Sequence, residues 1–395
     1  MNPPVSVYLD HAAATPLDPE VAAAIAAAHS VAHANPSSQH GLGRAARSML
    51  EDARERIIAV LGGRSGPAHR DRLVFTSGAS EANHLAILGM AAAAPAPGQC
   101  FWSRRDHASS GSAVQALVRR GWNLQEATLD PVDGTAAAAL VVAACAEDAN
   151  GPQIASLTLV CGQTGSIEDL AAVVALPCAA GRHPLLVHID ATQAAGLMAI
   201  DFQALPAATL SLAPHKFGGP RGIGGLLIRG DVAIEPVQAG TQEQGLRGGT
   251  EPVPLAVGFA RAMELASADR EQAARRLAGL RDRLESSLVA AAREAGIPAV
   301  VIAAQGRRCP HIATLAFPGF DRQALAMAAD LAGVCLATGT ACASGSSEPA
   351  PALVAMGLEP AVVQSAVRLS VGRTTTEAEI DQAVERLVPI VAARL

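Results

Sequence analysis

The sequence predicts an α/β protein, a mostly parallel sheet flanked by helices, followed by a smaller α+β C-terminal domain. Two observations carry that prediction. Short apolar runs with strand character alternate with helical stretches along the first part of the chain. The texture then changes near residue 258, within a long and charge-rich helical stretch. The expected division is 18–257 for the large α/β domain, with 1–17 and 258–395 forming the smaller one.

The elements follow in order. Ser48 to Leu61 places Leu50, Ile57, Ile58 and Leu61 on one helical face. Leu73-Val74-Phe75 is a short strand, and Thr76-Ser77-Gly78-Ala79 turns into a helix starting near Ser80. Buried strands are expected at Ile154–Val160, Leu185–Ile189, Thr209–Leu212 and Gly225–Ile228. Pro254 to Ala295 is helical and broken once. Beyond it, strands at Ala299–Ile302, Ile312–Phe317 and Val367–Val371 interleave with helices at Arg322–Leu331 and Glu377–Val391.

Composition excludes several classes of function. No apolar run approaches the roughly 18 residues of a membrane span, and Ala136–Ala146 is closed by Glu147 and Asp148. The opening Met1-Asn2-Pro3-Pro4 lacks a secretory signal's basic and apolar regions. A net charge of −6 with mixed signs gives no nucleic-acid or polybasic membrane footprint. Seven unclustered cysteines predict a reducing cytoplasm, and no spacing of Cys or His predicts a metal.

Lysine is ordinarily among the commonest residues, yet Lys216 stands alone among 30 basic residues. Arginine replaces lysine wherever charge suffices, but it cannot condense with a carbonyl as an amine does. Lys216 sits a few residues after a strand, in Ala213-Pro214-His215-Lys216-Phe217-Gly218-Gly219. These glycines lead into a strand rather than open a helix, which weakens a dinucleotide reading. In Val187-His188-Ile189-Asp190, an apolar strand ends in a carboxylate, where parallel sheets bind ligands. Such a carboxylate suits the protonated pyridine nitrogen of pyridoxal 5'-phosphate (PLP), with Lys216 as its Schiff-base lysine. Asp190 also fits a plain turn or N-cap.

Two further segments carry chemistry. Thr76-Ser77-Gly78-Ala79-Ser80-Glu81 joins a strand to a helix, fitting either a phosphate cradle or an ordinary cap. Thr338 to Pro349 is rich in Gly, Ser and Thr around Cys342, whereas the other six cysteines lie in or beside apolar segments. A loop thiol is the better nucleophile candidate.

These segments, in this order, resemble the cysteine desulfurases of the class V aminotransferase family. The resemblance extends to Tyr8-Leu9-Asp10-His11-Ala12-Ala13-Ala14-Thr15-Pro16, to Asn35-Pro36-Ser37-Ser38-Gln39-His40 and to Val367-Arg368-Leu369-Ser370-Val371-Gly372-Arg373. It covers nearly the full chain. It implies a fold-type I PLP-dependent transferase, a homodimer that takes sulfur from L-cysteine for a sulfur-acceptor or scaffold protein. It further implies that Lys216 binds PLP and shuttles protons, Asp190 pairs with the ring nitrogen, Gln193 contacts the phenolic oxygen and His107 stacks on the ring. Ala79, Ser80, His215 and, across the dimer, Thr250 are implied at the phosphate. Arg368 and Asn35 are implied on the substrate side, with Cys342 as the sulfur carrier.

Two positions depart from the family pattern. Gly162 stands where relatives carry a site-facing asparagine, with Gln163 as a candidate substitute, and Ala213 stands where they carry a phosphate-binding serine. Both leave open a selenocysteine lyase, another C–S lyase or a non-catalytic relative; the Cys342 loop argues against a transaminase.

Overall fold

The computed structural model describes residues 6–65, 70–136, 151–170, 185–339 and 348–393. After β1 (Val7–Tyr8) come α1 (Pro19–Val31) and α2 (Gly41–Val60). The Asp18 carboxylate caps α1 by accepting the Glu20 N–H, with Pro19 in the first turn. Helix α2 begins well before the expected Ser48, because His40 Nδ1 accepts the Gly43 N–H at 3.2 Å and starts the helix there. Gly41 and Gly43 are poor helix formers and hid that start. Gly43 is nevertheless required, since a Cβ would fall 2.3 Å from the Ser38 carbonyl oxygen.

Seven strands form the main sheet: β2 (Arg72–Thr76), β3 (Gln99–Ser103), β4 (Asn123–Ala127), β5 (Gln153–Thr158), β6 (Leu185–Asp190), β7 (Thr209–Leu212) and β8 (Gly224–Ile228). Their order is β2-β8-β7-β6-β5-β3-β4, and only β8 runs against its neighbours. The mostly parallel sheet expected from sequence is therefore present. Strands β5 and β7 are buried along their whole length and β6 over its second half, so polar residues such as Ser156, His188 and Thr209 sit inside the fold beside apolar ones. Helices α3 (Ala79–Ala93) and α4 (Ala108–Val118) each follow a strand.

The expected long helix divides at Asp269 into α5 (Val253–Ala268) and α6 (Arg270–Glu294). Apolar residues of α5 join the core of α1, α2 and the main sheet, whereas those of α6 join a second core. Packing partners thus change at Asp269, later than the change of sequence texture. The second core includes β1, so the N-terminal segment crosses to it. It also gathers β9 (Val300–Val301), β10 (Ile312–Ala316), α7 (Arg322–Leu331), β11 (Val334–Cys335), β12 (Ala366–Ser370) and α10 (Glu377–Ala392), while α8 (Pro351–Ala355) and α9 (Pro360–Ser365) pack in a further apolar cluster with Cys161 and Ile302. Strand β10 lies between β12 and β9 in an antiparallel sheet.

Candidate active site

Thr158, Asp190 and Ser211 lie side by side where β5, β6 and β7 end. This is the carboxyl edge at which a parallel sheet binds ligands. Asp190 is buried, and its carboxylate accepts the Thr192 N–H and an Asn83 N–H, both at 2.9 Å. Burial pushes its pKa up, but hydrogen bonds from Thr192 and Asn83 outweigh it and hold Asp190 below the usual carboxylate range. The result is a fixed anion on the floor of the site. The hydroxyls of Thr158 and Thr192, close to that anion, are buried without a protein partner among the described residues. Polar atoms buried in that way are expected where a polar ligand belongs.

After β7 the chain makes a single turn, Pro214 to Lys216, and the loop is pinned by the N-terminal segment. Thr15 donates its N–H and its hydroxyl to the His215 carbonyl, both at 2.9 Å, and its Oγ1 accepts the Gly218 N–H at 2.8 Å. Lys216 Nζ donates to the carbonyls of Ala12 at 2.7 Å and Ala13 at 2.9 Å. Gln193 Nε2 donates to the same Ala12 oxygen at 2.8 Å, so Lys216 and Gln193 converge there. Burial, then the charges of Lys216 and Arg221, push His215 down to about 4, leaving it neutral near pH 7.

The turn before α3 provides the third feature. No side chain caps α3; Glu81 instead accepts the Ser77 N–H at 2.6 Å and pairs with Arg247 at 3.0 Å. A Cβ on Gly78 would meet nothing within 4 Å, so space opens at this helix end. Gly224 has the opposite need, because a Cβ there would fall 2.5 Å from Gly78 as β8 passes the turn. Ser80 is exposed and Ala79 partly so. An open helix N-terminus with a serine hydroxyl suits a phosphate. A buried anion, a lysine amine and such a helix end together match the donor set of PLP.

Arg368, on β12, is buried at the seam between the two cores. It donates to Asp10 Oδ1 at 2.7 Å and to the Gly162 carbonyl at 2.8 Å, while its buried Nε has no partner among the described residues. The Gln163 oxygen accepts the Ala352 N–H at 2.9 Å, capping α8. Gln163 therefore does not stand in for the side chain missing at Gly162. Ala337, just before the loop of Cys342, exchanges backbone hydrogen bonds with Arg368 at 3.0 and 2.7 Å. Cys342 itself lies outside the described residues. Asn35 and Thr250 are exposed, and neither is hydrogen-bonded to the other candidates among the described residues; Asn35 closes a local turn on Ser37.

Sequence reasoning missed Asn83, His188, Ser109, Thr15 and Asp10. His107 caps α4 and accepts the Ser109 N–H at 3.1 Å, with the Ser109 hydroxyl 2.7 Å from the same nitrogen. On the Lys216 side, a cavity of about 100 Å³ is lined by His11, His311 and Phe217 among others.

The family model described as aminotransferase class-V matches residues 7–383. The chain belongs to the class-V aminotransferases. A cysteine desulfurase of Cereibacter sphaeroides is 35% identical over 98% of this chain and 95% of its own length. Among solved structures, a NifS-like protein superposes with a TM-score of 0.87 at 26% identity, covering 98% of this chain and 100% of its own. SspA in complex with cysteine gives 0.75 at 25% identity, covering 94% and 100%. A fold-type I PLP enzyme is the common ground of this family and these structures.

Proposed function

We propose that this class-V aminotransferase is a cysteine desulfurase, converting L-cysteine to L-alanine and leaving the sulfur as a persulfide on Cys342. The observation that carries the reading is full-length similarity to a cysteine desulfurase, and it is supported by a chain in which Asp190 ends β6 and Lys216 follows β7 in the next turn. Asp190 would hold a proton on the pyridine nitrogen, Gln193 would face the phenolic oxygen, and His107 would stack on the ring. The α3 N–H groups at Ala79 and Ser80, the Ser80 hydroxyl and His215 would hold the phosphate. Thr250 of a second copy would complete that cup in a homodimer. When bound, PLP supplies an electron sink for the substrate α-carbon.

The chain's own groups then divide the work. The Lys216 amine takes and returns the α-proton. Arg368 binds the substrate carboxylate, a task that suits a guanidinium with a spare buried N–H, and Asn35 lies on the substrate side. The Cys342 sulfur bonds to the substrate sulfur as the carbon–sulfur bond breaks. The two thiols are oxidised to one persulfide, and the carbon they release is reduced to the methyl group of alanine, so no outside oxidant is needed. The persulfide would pass to a sulfur-acceptor or scaffold protein in the cytoplasm, in the manner of iron–sulfur cluster assembly. Among the described residues no helix is long and apolar enough to cross a membrane.

Purified protein given PLP should gain a visible absorbance band, then form alanine from L-cysteine, with equal sulfide when a reductant is present. A PLP-loaded protein that makes neither product would overturn the reading.

A further inference from the structure

One buried carboxamide joins the two groups assigned above to the ring. We propose that Asn83 is a positioning residue that fixes the charge of Asp190 and the tautomer of His107 together. The proposal rests on the reading of both as cofactor residues.

The direction of every bond follows from one charge. An ionised carboxylate only accepts, so the Asn83 amide must turn its nitrogen toward Asp190 Oδ2, at 2.9 Å. Its oxygen then faces His188 Nε2 at 3.0 Å, which makes that nitrogen the donor. His188 Nδ1 is left as an acceptor, and the Thr209 hydroxyl lies 2.9 Å from it. The second Asn83 N–H points to Ser109 Oγ at 3.0 Å. Ser109 must therefore send its own hydroxyl proton elsewhere, and His107 Nδ1 is 2.7 Å away. The Ser109 N–H already donates to the same nitrogen at 3.1 Å. A nitrogen that accepts twice carries no proton, so neutral His107 is protonated at Nε2. Asn83, His188 and Thr209 are fully buried and Ser109 nearly so, which leaves water little access to substitute for these four, while the chain ends at the exposed His107.

Histidine-selective ¹⁵N NMR of the cofactor-free protein tests the tautomer directly, with His107→Gln and His188→Gln assigning the signals. Both rings should be protonated at Nε2; a His107 ring protonated at Nδ1 would overturn the proposal. Two variants then separate the arms. Ser109→Ala should move the His107 Nδ1 signal while changing PLP affinity less than about twofold. Asn83→Ala should move the His107 and His188 signals and weaken PLP by roughly tenfold, the scale of one lost hydrogen bond to a charge. A merely structural asparagine would lower the melting temperature of Asn83→Ala and leave the ring signals and PLP affinity unchanged, which would sink the idea. If wild-type protein binds no PLP while the tautomers stand, the functional reading fails and the hydrogen-bond chain survives.

Discussion

The floor of the site and its carboxylate side are built in different ways. Asp190, Asn83, His188 and Thr209 come from adjoining strands and the helix packed on them, and each is buried. Arg368, Asp10 and Gly162 come from three distant segments, and the Arg368–Asp10 pair spans 358 positions of sequence. One half is built on a single sheet and the helix packed against it, whereas the other exists only where separate parts of the fold meet. The cofactor side should therefore tolerate little change. The carboxylate side, with a spare donor and an acidic group already in place, should respond in graded steps.

Substitution of Lys216 should have the largest effect. Lys216→Arg keeps a cation near the Ala12 and Ala13 carbonyls but removes the amine, and no other lysine exists to replace it. The visible band on adding PLP should vanish. A band that borohydride fixes covalently to the variant would refute the assignment.

Arg368→Ala attacks the other half. It should leave the PLP band intact and weaken cysteine binding by about 2–4 kcal/mol, the loss of a charge-assisted clamp. Unchanged KM and kcat would remove Arg368 from the substrate site. Asp10→Asn sharpens the contrast, because it frees the guanidinium of a resident carboxylate. It should lower KM for cysteine with little change in PLP affinity; a large loss of PLP would mean the two halves are not separable.

Acid should act on both halves. His188 on the floor and His311 beside the seam are fully buried, and burial pushes them down to about 4 and about 3. The unfolded chain takes up protons as pH falls below 6.5, the ordinary histidine value, while the folded chain does not. Stability is then complete above that pH and declines toward 4. Each such histidine adds a slope of up to about 1.4 kcal/mol per pH unit. Urea unfolding at several pH values should show the decline, and His311→Asn should flatten it. A pH-independent midpoint from 7 to 5 would contradict neutral buried histidines.

These contrasts also explain what could be read from the sequence. Lys216 was legible because its neighbours in composition are arginines, and Asp190 because a strand ends on it. Asn83 was hidden within the apolar helix α3, although it lies four residues before the buried Ile87 and so shares the face turned to the sheet. His188 was hidden because a strand buried on both faces has no polar alternation to mark a special side chain. The Arg368–Asp10 pair leaves no local pattern, since only the folded seam brings it together. Helix α2 and the break at Asp269 show the same divide: periodicity located the helices, while caps and packing partners set their ends.

The smallest effects belong to the two departures from the family pattern, and they fall one on each half. At Gly162 the backbone is not left-handed, and a Cβ would sit 3.4 Å from Gln193 Nε2 and 3.6 Å from its Cγ, ordinary contacts. Gly162→Asn should fold, keep the Arg368 bond to its carbonyl, and change cysteine turnover more than PLP affinity. Ala213 is fully buried just before the Lys216 turn. A hydroxyl placed there by Ala213→Ser either meets the phosphate and tightens PLP by about 1 kcal/mol, or lies unpaired and destabilises the fold by about 1–3 kcal/mol. The expected outcome is the first: a roughly fivefold tighter PLP complex with an unchanged melting temperature before PLP is added. Tighter PLP from Gly162→Asn with no response to Ala213→Ser would exchange the roles of the two positions. Additive effects in the double variant would support two independent halves, as expected for sites without a shared partner. Strong coupling between them would mean that floor and seam respond as one unit, and the division drawn above would fall.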